Sequence, residues 1–183
     1  LNFRKKLWKW DGSKSPVELA QATMAELVKH IDVVIANEED ADLCLGISDD
    51  ASDVESGQID TEGYVRVARQ VVEQFPNVSK VAITLRESIS ASHNNWGAML
   101  YTAQSDTAIF APRQSNGYAP YEIRNIVDRV GGGDSFAAGL IYALTNTDYS
   151  SLEEALGFAV AASCLAHSIE GDFNHSSRAE VDA

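Results

Sequence analysis

Residues 128–139 of the 183-residue chain read DRVGGGDSFAAG, and this stretch guides the interpretation of the whole sequence. Three consecutive glycines, Gly131–Gly133, come just before an apolar pattern at helical spacing, formed by Phe136, Ala137, Leu140, Ile141 and Leu144. Glycines at a helix start leave backbone N–H groups unblocked by side chains, and the helix macrodipole favours an anion there. We therefore expect the glycine turn to bind a phosphate or a developing phosphoryl group.

Asp134 follows the glycines in the first turn of the predicted helix. A carboxylate there is ionised at neutral pH and can accept the proton of a hydroxyl as that oxygen attacks phosphorus. A purely structural alternative stays open, because glycine-rich turns also serve packing and Asp is favoured in a first helical turn. The stretch contains neither the Gly-Lys-Ser/Thr of a P-loop nor a Gly-x-Gly-x-x-Gly with an acid about 20 residues on.

Patterns upstream of the glycines alternate between helix and strand. Ser15-Pro16-Val17-Glu18 is a capping box with Pro at the first helical position. Strands are predicted at Val33–Ala36 and Lys80–Leu85, with helices at 38–45 and 64–75 between them. This order implies parallel pairing through a crossover, so we predict an α/β layered fold with a mainly parallel sheet flanked by helices.

Weaker patterns complete the expected fold. The opening residues 1–4 resemble the end of a strand, and Ile126-Val127 is expected to form a strand that leads into the glycines. Residues 96–101 and 108–111 suggest an antiparallel pair, whereas residues 51–60 are polar and predict a surface loop. Ser151 with Glu154 forms a second capping box before a largely buried helix that ends near His167.

Composition excludes several classes of protein. The 14 Lys+Arg and 27 Asp+Glu residues give a net charge of −13, which repels nucleic acid, and no basic stripe offsets it. With 45% hydrophobic and 22% charged residues the chain can bury a core, so intrinsic disorder is excluded. No apolar run approaches the ~20 residues that span a bilayer, and no leader is recognisable. Cys44 and Cys164, each within an apolar helical pattern, are expected to be buried thiols in a reducing cytoplasm.

The stretch 128–139 resembles the C-terminal signature of the PfkB/ribokinase family of sugar kinases, D-T-x-G-A-G-D-x-F-x-x-G. Six positions match: Asp128, Gly131, Gly133, Asp134, Phe136 and Gly139. Arg129 replaces the usual Thr, and Gly132 replaces the usual Ala. The resemblance implies that Asp134 deprotonates the sugar hydroxyl and that the amides of Gly131, Gly132 and Gly133 stabilise the charge on the transferred phosphoryl group.

Asn37-Glu38-Glu39-Asp40 resembles the family's N-x-x-E element, which holds Mg²⁺ through water beside the nucleotide phosphates. Asp40 stands where Glu is usual. The resemblance assigns Asn37 to ATP and, with Asp40, to the metal. The alternative is that Asn37 is simply a helix N-cap with an acid three residues later.

Further resemblances concern the substrates. Residues 1–8, LNFRKKLW, resemble a D-x-N-x-R-x-x-L-W segment of 2-keto-3-deoxygluconate kinases and some fructokinases. By that resemblance Asn2 and Arg4 bind the substrate, and the guanidinium reaches its carboxylate or the phosphates; a solvated arginine is the alternative. Thr84 and Arg86 fall where relatives carry T-L-G beside the nucleotide, with Arg86 in place of Gly. Asn174 lies in the tail loop and is assigned to ATP, although such loops are often only solvated.

The resemblance implies a kinase that uses ATP and requires Mg²⁺, with a Rossmann-like, ribokinase-type three-layer fold. It implies a sugar or sugar acid as the acceptor, and 2-keto-3-deoxygluconate is the first candidate. It leaves open whether the kinase also binds a monovalent cation and whether the complete protein forms a homo-oligomer. The alternatives are a fructokinase or ribokinase, or a catalytically silent regulatory relative that binds sugar or nucleotide. Residues 1–183 match only the C-terminal part of the family's fold, without the N-terminal strands and lid, so this segment alone is expected to be inactive.

Overall fold

Helices and strands alternate along the chain, which a computed structural model describes over residues 1–49, 61–115 and 117–183. The described helices are α1 Pro16–Val28, α2 Glu38–Leu45, α3 Thr61–Gln74, α4 Gly132–Thr145, α5 Leu152–Ala166 and α6 Arg178–Val181. The described strands are β1 Val33–Ala36, β2 Lys80–Ser90, β3 His93–Thr102, β4 Thr107–Ala111, β5 Arg113–Gln114, β6 Gly117–Tyr118 and β7 Tyr121–Arg124. The polar loop predicted at residues 51–60 lies outside these ranges.

Capping residues set the starts of the helices where the sequence indicated them. Ser15 accepts a hydrogen bond from the backbone of Glu18, whose side chain accepts one in return, and Pro16 opens α1. Ser151 and Glu154 form the same reciprocal pair before α5. Gly46 ends α2 at φ 69°, in the left-handed region that glycine adopts without strain.

The main sheet has five strands in the order β1-β2-β3-β4, and β7 also pairs with β3. β1 and β2 are parallel, with Val33 opposite Lys80 and Ala36 opposite Ile83. β3 and β7 are antiparallel. The predicted α/β fold is confirmed, but the sheet is mixed rather than mainly parallel. The β-strand signals of the middle of the chain come from hairpins, which need no crossover helix.

Two predicted strands are absent from the described residues. Residues 1–4 form no strand, although the backbone nitrogen of Leu1 donates to the carbonyl of Ile35 in β1. Residues 126–130 are irregular, because their backbone bonds to other segments: Ile126 N–H donates to Ser92 O at 3.2 Å and Val127 N–H to His167 O at 2.9 Å. The glycine turn therefore follows an irregular segment and not a strand.

The chain divides into two compact units, Leu1–Ile83 with Tyr101–Ala108, and Thr84–Leu100 with Ile109–Ala183. In the first, the core comes chiefly from α1, β1, α3 and the start of β2. In the second, β3, α4 and α5 supply most of the buried side chains, with Phe136, Leu140 and Leu156 fully enclosed. Both cysteines are free thiols, and burial raises the pKa of Cys44 and of Cys164. None of the described helices has the length and apolar character to cross a bilayer.

Candidate active site

Gly131 occupies the cap position of α4 and must be glycine for two reasons. Its φ is +78°, a left-handed conformation that residues with a Cβ adopt only with strain. A Cβ built on this residue would also lie 2.4 Å from the backbone oxygen of Asp172. The conformation of the chain and the approach of the loop after α5 explain this glycine without any ligand.

Gly132 is enclosed by α5. A Cβ at this position would lie 2.9 Å from Cε1 of the buried His167 ring. The Gly132 carbonyl also accepts a 2.7 Å hydrogen bond from the Ser163 hydroxyl. The ring occupies the space that a methyl group would need, which explains why Gly replaces the usual Ala here.

Gly133 differs from its two neighbours because nothing packs against it. A Cβ there would have no atom within 4 Å, and the residue is exposed. In the first turn of α4 the backbone N–H groups of Gly132, Gly133 and Asp134 have no intrahelical partner, and no acceptor for them occurs in the described ranges. Packing therefore accounts for Gly131 and Gly132, whereas the open side of Gly133 suits the approach of an anion.

Asp134 projects from the same open turn. The residue is exposed, and its carboxylate makes no hydrogen bond or ion pair with any described residue. A carboxylate without a hydrogen-bond partner can accept a proton from a hydroxyl, while the free amide groups beside it stabilise negative charge by donating hydrogen bonds. Proton acceptance and stabilisation of negative charge are two contributions that a protein can make to an in-line phosphoryl transfer.

Asp128 fixes the segment that leads into the turn. One carboxylate oxygen accepts from the amides of Arg129 at 2.7 Å and Val130 at 3.0 Å, and the other accepts from Gly171 N–H at 3.0 Å. Hydrogen bonds from the backbone of Val130, Gly171 and Arg129 lower the pKa of the Asp128 carboxyl. The family signature includes this aspartate, but no pattern in the sequence predicts its hydrogen bond to Gly171, which lies 43 residues later.

Arg129 braces the turn between β2 and β3. Its Nη2 donates to Ser90 O and Ala91 O, both at 2.8 Å, and to Asn94 Oδ1 at 3.2 Å. The arginine that replaces the usual Thr therefore bonds to other parts of this chain and holds the turn between β2 and β3 in place.

The other residues assigned to ATP in this unit differ in whether their side chains already bond to the protein. Thr84 is half-buried and Arg86 is exposed on β2, with no bond from the Arg86 guanidinium to any described residue. The Asn174 amide donates to Ala162 O at 2.9 Å and accepts from Ser176 N–H at 2.9 Å. Asn174 thus fastens the tail loop to α5, while Arg86 remains available to a ligand.

The predicted residues of the first unit gather at the start of α2. Asn37 is the N-cap, since its Oδ1 accepts from Asp40 N–H at 2.6 Å. Asp40 Oδ1 accepts from Phe3 N–H at 2.7 Å, which places the segment carrying the exposed Asn2 and Arg4 beside this helix. The capping alternative is therefore realised. Among the described residues, no group of three or more His, Cys, Asp or Glu could hold a metal ion directly.

The profile of the pfkB family carbohydrate kinases matches residues 1–177. A solved structure, 2-dehydro-3-deoxygluconokinase from Thermotoga maritima, is 40% identical with a TM-score of 0.78, over 100% of this chain and 47% of that one. A PfkB family carbohydrate kinase from Listeria grayi is 28% identical with a TM-score of 0.74, over 99% and 47%. The chain thus spans about half the length of these two relatives. No curated protein matches it.

The contrast between Gly131 and Gly133 predicts opposite effects on stability. Gly131→Ala should lower the free energy of unfolding by at least ~1–3 kcal/mol, the usual cost of a strained backbone conformation. Gly133→Ala should leave it unchanged or raise it by up to ~1 kcal/mol, because Ala is the better helix former and its methyl group meets nothing. Urea unfolding of both variants measures this. Equal destabilisation would show that packing also requires Gly133.

The bonds of Asp128 predict a pH-dependent loss of stability. Its folded-state pKa is depressed, so the carboxylate stabilises the fold above its unfolded pKa of about 4, and this contribution disappears as pH falls through the lower folded value. The melting temperature of Asp128→Asn should therefore lie below that of the parent at pH 7 and converge with it as pH falls below the depressed pKa of the folded state. Asp172→Asn, at an exposed carboxylate without a described bond, is the control. A constant difference at all pH values would contradict this role.

Proposed function

The chain belongs to the pfkB family of carbohydrate kinases, and from this premise we propose that the complete protein transfers the γ-phosphoryl group of ATP to a hydroxyl of 2-keto-3-deoxygluconate. The observation that carries the proposal is the glycine turn, where a free carboxylate stands beside amide groups on a side that no other part of the described chain fills. The acceptor is proposed from the similarity to the Thermotoga maritima enzyme, named for this compound under its alternative prefix 2-dehydro.

In the proposed reaction, Asp134 accepts the proton of the acceptor hydroxyl as its oxygen attacks the γ-phosphorus. The new O–P bond forms as the bond to the ADP oxygen breaks, and ADP leaves with that electron pair. Because the transition state spreads charge over the equatorial phosphoryl oxygens, catalysis consists of positioning and electrostatic stabilisation. The amides of Gly132 and Gly133 supply that stabilisation from fixed positions, without reorganisation during the reaction.

Arg4 and Arg86, both exposed and without a side-chain bond to a described residue, would serve the anionic ligands. The guanidinium of Arg4, on the segment bonded to α2 through Phe3 and Asp40, suits the planar carboxylate of a sugar acid. Asn2 lies in the same segment and would add a hydrogen-bonding group to the substrate. We assign Arg86, with the neighbouring Thr84, to the nucleotide phosphates, since its charge would offset the acidic surface of the chain.

Magnesium would enter with ATP and neutralise charge on its phosphates. The residues fit contact through water and not direct ligation, because Asn37 Oδ1 and Asp40 Oδ1 already accept backbone hydrogen bonds. Each oxygen retains a lone pair, and Asp40 has a second oxygen that accepts nothing from the described residues. Asn37 and Asp40 would thus orient water molecules of the hydrated ion.

The proposal predicts a selective loss of turnover in Asp134→Asn of the complete protein. Turnover should fall by ~10²–10⁴, the usual effect of losing a general base, while KM for ATP stays within about twofold because the amides remain. The measurement is ADP release with ATP, Mg²⁺ and 2-keto-3-deoxygluconate, compared with fructose and ribose as acceptors. Asp32→Asn, the same change at an exposed carboxylate on another part of the chain, should be silent.

Two results would contradict the proposal in different ways. Near-normal turnover of Asp134→Asn would exclude this residue as the base. Sugar-dependent ADP release that is fastest with fructose or ribose would leave the kinase chemistry intact and overturn the assigned acceptor.

A further inference from the structure

Helix α5 contacts the glycine turn through two side chains one helical turn apart. Ser163, fully buried, donates its hydroxyl hydrogen to the carbonyl of Gly132 at 2.7 Å. His167, which is 3% exposed, lies with its ring against the same glycine. Neither side chain reaches the open side of the turn, so neither is placed to touch a ligand bound there.

The Ser163 hydrogen bond ties the peptide that joins Gly132 and Gly133 to α5. In a planar trans peptide, the carbonyl of one residue and the N–H of the next face opposite sides. The Gly132 carbonyl lies in the first turn of α4, and the bond from Ser163 holds the peptide plane between Gly132 and Gly133 at its carbonyl edge. The Gly133 N–H, at the opposite edge of that plane, has no partner among the described residues. A Cβ at position 133 would also meet nothing within 4 Å, so this residue is open to a ligand.

His167 supports this arrangement in two ways. Its Nδ1 is 2.8 Å from the carbonyl of Ser163, an acceptor only, so Nδ1 carries the proton and donates to it. Burial lowers the pKa of His167, and the positive charges of Arg129 and Arg86 act in the same direction, so the ring is neutral at pH 7. Trp96 packs edge-on against the ring, with centroids 4.9 Å apart, and limits its movement.

The backbone of His167 also reaches the segment before the turn. Its carbonyl accepts from Val127 N–H at 2.9 Å, upstream of Asp128 and the glycines. Both the entry to the turn and the peptide after Gly132 are therefore bonded to the C-terminal end of α5, the first through its C-cap residue His167 and the second through Ser163.

We propose that Ser163 and His167 are positioning residues that aim the Gly133 N–H at the phosphoryl oxygen during transfer. This inference rests on the kinase function proposed above and adds to it the residues that set the geometry of the anion-binding amide. It assigns to α5 a role in turnover, in addition to its role in the core.

The direct test is Ser163→Ala in the complete protein. We expect turnover to fall about 10-fold, less than the ~10²–10³ that follows complete loss of such a donor, because the amide is misaligned and not removed. KM for ATP and for the sugar should stay within about twofold, since the aim of one amide matters most in the transition state. Ser163→Thr, which restores a hydroxyl, should recover most of the turnover of the folded fraction.

Thr145→Val is the matched control. Thr145 Oγ1 donates to the carbonyl of Ile141 at 2.8 Å, so the change removes another hydroxyl-to-carbonyl bond of α4, at the far end from the glycines. It should leave turnover unchanged. If Ser163→Ala lowers only the melting temperature, or raises KM while turnover persists, Ser163 serves packing alone and the inference is overturned.

A second readout does not depend on activity. In protein labelled with ¹⁵N-glycine and free of ligand, Ser163→Ala should shift the Gly133 amide resonance, while that of Gly12, in the segment before α1, stays fixed. If the parent protein phosphorylates no sugar, the proposed function fails, whereas this shift still tests whether Ser163 sets the environment of the Gly133 amide. An unmoved Gly133 resonance would overturn that role.

The ring contact can be tested by removing its volume. Gly132→Ala should lower the melting temperature in the parent, because the new methyl group meets Cε1 of His167. The same change should cost little in a His167→Ala background, where that space is empty. An equal cost in both backgrounds would show that the ring does not determine the position of Gly132.

Discussion

Helices α4 and α5 lie so close together that a methyl group at position 139 would be 3.0 Å from the Cα of Ala159 and 3.3 Å from the Cβ of Ala162. Gly139 and the small residues of α5 permit this separation. At this distance a side chain as short as that of Ser163 reaches the carbonyl of Gly132, two turns before Gly139 on α4. The geometry of the glycine turn therefore depends on the packing of the two helices.

A different structural reason accounts for glycine at each of the three positions of the turn. Gly131 adopts a left-handed conformation beneath the Asp172 carbonyl, and Gly132 makes room for the His167 ring. Only Gly133 has no neighbour that a side chain would disturb. The first two glycines belong to the fold, and the third belongs to the proposed function. A side chain at position 131 or 132 is therefore expected to destabilise the fold, whereas a side chain at position 133 would affect only the proposed binding of the phosphoryl group.

Local signals in the sequence predicted local structure well. The capping boxes at Ser15 and Ser151 join residues three apart, so their pattern can be seen in the sequence, and both helices begin where expected. The signature also indicated Asp134 and the glycines, and the structure places them at the start of one helix. For Asn37 the sequence left a cap and a metal role open, and the structure shows the cap bond.

Long-range bonds were not predictable in this way. Residues 126–130 have β-branched character but form no strand, because their N–H groups pair with Ser92 and with His167. Ser163 lies in an alanine-rich helix where a serine gives no signal of contact with a residue 31 positions earlier. Such contacts follow from the packing of distant segments, which no spacing within one segment reveals.

The most direct test of the central claim is the response of the Gly133 amide to a mimic of the transferred phosphoryl group. ¹⁵N-glycine-labelled complete protein would be titrated with ADP, Mg²⁺ and aluminium fluoride in the presence of 2-keto-3-deoxygluconate. If the free N–H of Gly133 donates a hydrogen bond to the phosphoryl oxygen, its resonance should shift downfield in proton frequency, and that of Gly12 should not move. Saturated nucleotide binding with an unmoved Gly133 resonance would contradict the account.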